Sequence, residues 1–182
     1  TGMSATLKSL AREWLPPAAW RLARRYKQPA AFTGDHASWA EARRQARGYD
    51  DPAIFEKAVA AARAVREGRA AFERDTVLFA EPAIHGPLLA GLLRTAALQS
   101  GRLHVVDFGG ALGSAWWQHQ AWLEGLAEVT WEVIEQPHFV AAGRREFETG
   151  PLRFRDSLED CTAEPGRALL LLSSVLPYLE NP

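Results

Sequence analysis

The chain has 182 residues, 47% of them hydrophobic and 24% charged, a composition that fits one globular domain with an appendage and excludes a disordered chain. Its formal net charge of −1 conceals +5 on residues 1–27, which leaves −6 on the remainder and no basic surface suited to a nucleic-acid backbone. The single cysteine, Cys161, excludes a disulfide framework and a thiolate metal cluster and fits a reducing cytoplasm; no stretch reaches the ~18 apolar residues of a membrane span.

Between Leu7 and Tyr26, Leu10, Trp14, Leu15, Trp20 and Leu22 alternate with basic residues, and Pro16-Pro17 splits the segment into two short helical pieces. Two readings stand. Residues 7–27 form an arm that lies on an anionic membrane surface, peripheral to the inner membrane, or an arm that packs its tryptophans on the domain or on another copy in a homo-oligomer. Ser38 is placed to cap a helix through Arg47, with Gly48 as terminator. Asp51 and Pro52 open a clearer one, with Ile54, Phe55, Ala58, Val59, Ala62 and Val65 on one face, ending near Gly68. Glu73, Arg74 and Asp75 then interrupt an apolar run, and the spacing favours an exposed turn over a polar cluster at a ligand site. Pro87 to Gln99 predicts an apolar helix, closed by Gly101, that should lie against a sheet.

The most informative stretch is Val105 to Ser114, VVDFGGALGS. A strand over Leu103–Asp107 runs into a glycine-rich turn, and Ser114 opens a helix expected to reach Leu126. Glycines at 109, 110 and 113, with Ala111 between them, let backbone approach a ligand closely, and the amides that open the helix favour an anionic group there. The spacing is not the G-x-G-x-x-G of dinucleotide binders. Downstream, VTWEVIE (Val129–Glu135) reads as a second strand ending in a carboxylate, placed where it could accept hydrogen bonds from ribose hydroxyls. A helix over Phe139–Phe147 follows Pro137, then short strands at Leu152–Phe154 and Leu169–Leu172. Asp156 and Ser157 stand at the end of one and Ser173 at the end of the other. Strand and helix alternate as in a right-handed α/β fold, whose ligands gather at the C-terminal strand ends.

The alternation Asp107, Gly109, Ala111, Gly113 resembles the first motif of class I S-adenosylmethionine-dependent methyltransferases. With GYD (Gly48–Asp50), FERDTVLF (Phe72–Phe79), WEVIEQ (Trp131–Gln136) and SSVLPYL (Ser173–Leu179) in the same order, the chain is similar to a methyltransferase family found in bacterial surface-polysaccharide and lipopolysaccharide gene clusters. The likeness runs from about Phe32 to Pro182. It implies a Rossmann-like class I sheet, S-adenosylmethionine as cofactor, and methyl transfer to an unassigned acceptor, a small molecule or saccharide. The expected division is residues 1–31 as the arm, 32–101 as a helical extension, and 102–182 as the cofactor-binding core. Such a sheet has about seven strands and only four are countable here, so the sheet is cut short, completed by a partner chain, or reduced. An open fourth strand should be covered by a helix or a dimer contact.

The resemblance implies cofactor contacts at Asp107, Phe108, Gly109, Gly110, Ala111 and Gly113 and at Glu135. Asp156, Ser157 and Ser173 would border the same ligand. A general base is needed only for a protonated acceptor, and the candidates are His119, Glu73, Asp75 and Tyr178. His119, on a tryptophan-rich helix, reads first as a packed surface residue. The five histidines show no i,i+4 pair, which argues against a metal. The competing expectation is a non-catalytic methyltransferase-like module that binds a partner in polysaccharide assembly.

Overall fold

The computed structural model describes residues 35–45, 51–164 and 166–180. The basic arm, Arg47 and the GYD element lie outside the described residues. By internal packing the chain divides into two units, the break falling after Gln45. In the first unit, helix α1 (Trp39–Gln45) starts from a reciprocal cap: the Ser38 hydroxyl accepts from the Glu41 N–H at 3.2 Å, and the Glu41 carboxylate accepts from the Ala37 N–H at 3.1 Å.

The second unit opens with α2 (Pro52–Arg66). Asp51 accepts from the Ala53 N–H at 2.9 Å, and Pro52 sits where a missing donor costs nothing. Its buried face carries Val59, Ala62 and Val65, as the periodicity predicts. The next segment corrects the expected exposed turn. Strands β1 (Phe72–Arg74) and β2 (Val77–Phe79) pair antiparallel, and only Asp75 and Thr76, at φ 50° and 66°, form the turn. Left-handed φ at both central residues matches the twist of a two-residue hairpin. Helix α3 (Gly86–Leu98) follows, capped by the Nδ1 of His85 accepting from the Leu88 N–H at 3.3 Å.

Four parallel strands then form the sheet: β3 (Arg102–Phe108), β4 (Glu128–Ile134), β5 (Leu152–Arg155) and β6 (Leu169–Leu171), in spatial order β5-β4-β3-β6. The first of these four strands in chain order, β3, is therefore internal to the sheet. Chain direction reverses across the sheet between β3 and β6, and connections leaving those two strands diverge there. Register pairs Val105 with Trp131 and with Leu169, and Trp131 with Leu152. These residues share one face with Leu103, Val133 and Phe154, and together with α2, α3 and the connections after β3 and β4 they make a single core. Trp131, Phe147, Phe154, Leu103 and Leu152 are fully buried, and each such side chain contributes ~1.5–3 kcal/mol.

One expected helix is shorter than its pattern suggests, and another reaches its expected end at Phe147 by a change of helical type. Helix α4 (Ser114–His119) gives way to a 3-10 turn over Gln120–Trp122 rather than continuing to Leu126. Helix α5 (Pro137–Ala142) widens into a π turn over Gly143–Phe147. That turn seats Gly143 flat against the Phe154 ring, where a Cβ would collide.

The opposite face of the sheet carries His104, Val106, Thr130, Glu132, Ile134 and Arg155. No helix among the described residues covers it; the connection from β5 to β6 crosses it instead. Strand β6 pairs on one side only, with Leu170 54% exposed, so the expected cover for that edge is not present among the described residues. No described helix is long and apolar enough to cross a membrane.

Candidate functional site

The glycine turn stands where β3 leaves the centre of the sheet. Gly109 donates its N–H to the Ile134 carbonyl at 2.9 Å, which ties the turn to the end of β4, and Gly113 donates to Gly110 at 3.0 Å. Gly109 and Gly113 have φ of 75° and 84°, and Ala111 between them is also left-handed at 51°. The N–H groups of Gly110 and Leu112 have no acceptor among the described residues. Gly110 is partly exposed, whereas Leu112 is buried.

Three carboxylates surround this turn. Asp107 lies beneath it, 1% exposed, and its Oδ2 accepts from the Trp131 indole N–H at 3.1 Å. Burial lifts its pKa to about 7; the indole bond works against that rise, and the neighbouring Glu135 adds to it. Glu135, just past the end of β4, accepts from the Ala111 N–H at 3.2 Å and the Gln136 N–H at 2.8 Å. Burial raises its pKa against the pull of those two amides. Glu73 reaches in from the hairpin: one oxygen accepts from the Ser114 hydroxyl and the other from the Thr76 N–H at 3.0 Å. No Lys or Arg side chain among the described residues bonds to any of the three.

The turn is also closed from within. A Cβ on Gly109 would stand 2.7 Å from a Val175 methyl, and one on Gly113 would stand 3.0 Å from Leu152. Val175 belongs to the segment after β6, so it fills the space between the diverging ends of β3 and β6. Phe108 ends β3, and Ser173 stands just ahead of the short turn over Leu176–Tyr178, with Tyr178 60% exposed.

The remaining residues singled out from sequence make no bond to these three carboxylates among the described residues. Asp156 pairs with Arg144 at 2.9 Å, and the Ser157 hydroxyl donates to Asp160 at 2.9 Å; both follow the C-terminal end of β5, the same edge of the sheet as Glu135, whose N–H donates to the Arg155 carbonyl at 3.4 Å. Asp75 is at the tip of the hairpin. His119 corrects the reading of a surface histidine. It is 1% exposed, with Nδ1 2.8 Å from the Ala115 carbonyl of its own helix. Burial lowers its pKa, partly offset by that carbonyl, and the charges of His85 and Arg74 lower it further.

The buried ionisable residue that the sequence reading missed is Glu132, which is wholly buried on the other face of the sheet. Its signal is faint, a single acidic residue between Trp131 and Val133 in an alternating strand. Comparison with family models, curated proteins and solved structures finds no significant match. The molecule is thus defined by its own architecture, an α/β fold with a four-stranded parallel sheet of Rossmann-like connectivity.

Proposed function

We propose that the chain is an S-adenosylmethionine-dependent methyltransferase. The observation that carries this reading is the field around the glycine turn. Asp107, Glu135 and Glu73 approach it from three sides with no basic side chain among them, an environment that repels a pyrophosphate and favours a sulfonium cation. The donor set fits such a ligand. The free amide of Gly110 suits its carboxylate, and Glu135 suits the paired ribose hydroxyls.

Bound there, the cofactor would supply an activated methyl group for in-line transfer. The protein's contribution is alignment of acceptor and donor and exclusion of water. Glu73, held by Ser114, is the carboxylate best placed to take a proton from a hydroxyl-bearing acceptor such as a saccharide.

One observation favours the second reading, a non-catalytic module of the same fold in polysaccharide assembly. Val175 packs on Gly109 and both oxygens of Glu135 are engaged by backbone, so the crevice is narrow. Calorimetric titration with S-adenosylmethionine and S-adenosylhomocysteine, with NAD as control, separates the two. Micromolar binding that is lost in Glu135→Ala supports the enzyme. Silence toward both ligands supports the module.

A further inference from the structure

A second polar site lies at the other end of the sheet. An open cleft of about 290 Å³ is lined by Arg102 and His104 at the start of β3, Glu128 and Thr130 at the start of β4, and Thr162 and Arg167 of the β5–β6 connection. Strand β3 spans seven residues, so at ~3.3 Å per residue the cleft stands roughly 20 Å from the glycine turn. The two sites cannot share one small ligand.

Beneath the cleft, Glu132 has no exposed surface and is matched by four donors. The His104 Nε2 lies 2.7 Å from its Oε2, which also accepts from the Thr162 N–H at 2.9 Å and the Thr162 hydroxyl at 3.2 Å. Arg155 donates to Oε1 at 2.7 Å. A buried carboxylate so fully bonded holds its partners in place. One consequence concerns charge: the Arg155 guanidinium balances the buried Glu132 carboxylate. The other concerns geometry. With Nε2 fixed on Glu132, the Nδ1 of His104 has no partner among the described residues, although 20% of the side chain remains exposed.

The Arg102 guanidinium likewise makes no ion pair or hydrogen bond among the described residues, and neither does the Thr130 hydroxyl, whereas Arg167 is shared with Glu164 at 3.3 Å. The unspent groups are therefore a guanidinium, an imidazole nitrogen and a hydroxyl, on residues that line one cleft. His104 and Thr130 are direct partners in register, and Arg102 is the partner of Glu128. We propose that this cleft binds a small oxyanion, a phosphate or carboxylate group, held by the Arg102 guanidinium and the Thr130 hydroxyl as donors, with the Nδ1 of His104 facing it as an acceptor for a protonated ligand oxygen. Glu128 opposes the anion and keeps the affinity modest; it sets selection for a ligand that also carries a hydrogen-bond donor.

The test is a titration of inorganic phosphate, with acetate as the second arm, into the full chain at constant ionic strength. It is followed by the His104 ring resonance in NMR, assigned through His104→Gln. The expected result is a saturable shift of the His104 ring resonance with ligand present; the arm that saturates at lower concentration identifies the preferred oxyanion. Arg102→Ala should weaken binding about tenfold, the loss of one charge-assisted bond. Glu128→Gln should tighten it about threefold by removing a like charge. A shift that chloride reproduces, that never saturates, or that survives Arg102→Ala unchanged overturns the site.

Discussion

The carboxylate of Asp107 fills the space that a side chain on Gly110 would need, its Cγ 2.6 Å from an ideal Cβ there. The neighbour is not the end of a flexible chain. Asp107 is fixed from the other side by the Trp131 indole, and both residues are buried. Gly110→Ala must therefore displace the carboxylate or the turn, and we expect a loss of about 1–3 kcal/mol in chemical denaturation. An unchanged midpoint would mean that the turn shifts without cost.

Asp107 also predicts an unusual pH dependence. Its pKa in the folded protein, about 7, lies above the ordinary 3.8, so between these values the folded state holds a proton that the unfolded chain has released. Its contribution is fully present below about 3.8 and is lost as pH rises through about 7. Asp107→Asn keeps an acceptor for the indole and cannot ionise. Relative to wild type, the variant should gain stability on going from pH 5 to pH 8, on the order of a few kcal/mol. Paired urea titrations at several pH values read that difference, and parallel curves would exclude a buried ionisable Asp107.

What the sequence made legible is what depends on near neighbours. The runs at Leu103–Asp107, Val129–Glu135 and Leu152–Phe154 are apolar and β-branched or aromatic, and each is a strand within a residue or so. Asp51 caps α2 because its side chain needs only the backbone two residues on. Glu135 was found because a carboxylate ending the second strand has a place in any such sheet, and it lies against the turn. The hairpin was missed for want of a turn signal, since Asp75-Thr76 lacks the glycine that usually marks left-handed φ. His119 is internal because α4 presses its Trp116 side onto the core, a choice of face that two adjacent tryptophans in one short helix conceal. Glu132 was out of reach for a different reason. Its partners His104 and Arg155 are 28 and 23 positions away, and only strand order brings them together.

Glu132 should be among the costliest polar side chains to remove. Burial by itself would raise its pKa, but the hydrogen bonds from His104 and Arg155 prevail and hold it below the ordinary carboxylate value. Its stabilisation is present above that ordinary value and is lost as pH falls through the folded one, opposite in sign to that of Asp107. Glu132→Ala leaves His104 and Arg155 facing each other without their counter-charge, and the expected loss is about 3–5 kcal/mol. Thermal or urea denaturation measures it. A loss below about 1 kcal/mol would show that the cluster is solvated rather than buried.

The hairpin and the glycine turn meet at one bond, from the Ser114 hydroxyl to Glu73. Helix α4 has six residues, too few to be stable alone, so its first turn depends on contacts such as this one. Glu73 also organises its own hairpin by accepting from the Thr76 N–H. Breaking the pair should therefore loosen both elements together. In a double-mutant cycle of Ser114→Ala and Glu73→Gln, we expect a coupling energy of about 0.5–3 kcal/mol, with faster hydrogen exchange at the Thr76 amide in Glu73→Gln. The conservative amide separates charge from shape. If Glu73→Gln keeps the stability and lowers methyl transfer to a hydroxyl acceptor, the carboxylate acts as the base; if both fall in proportion, its part is to hold the hairpin against the turn. Additive single effects would show that the hairpin and the turn are energetically independent.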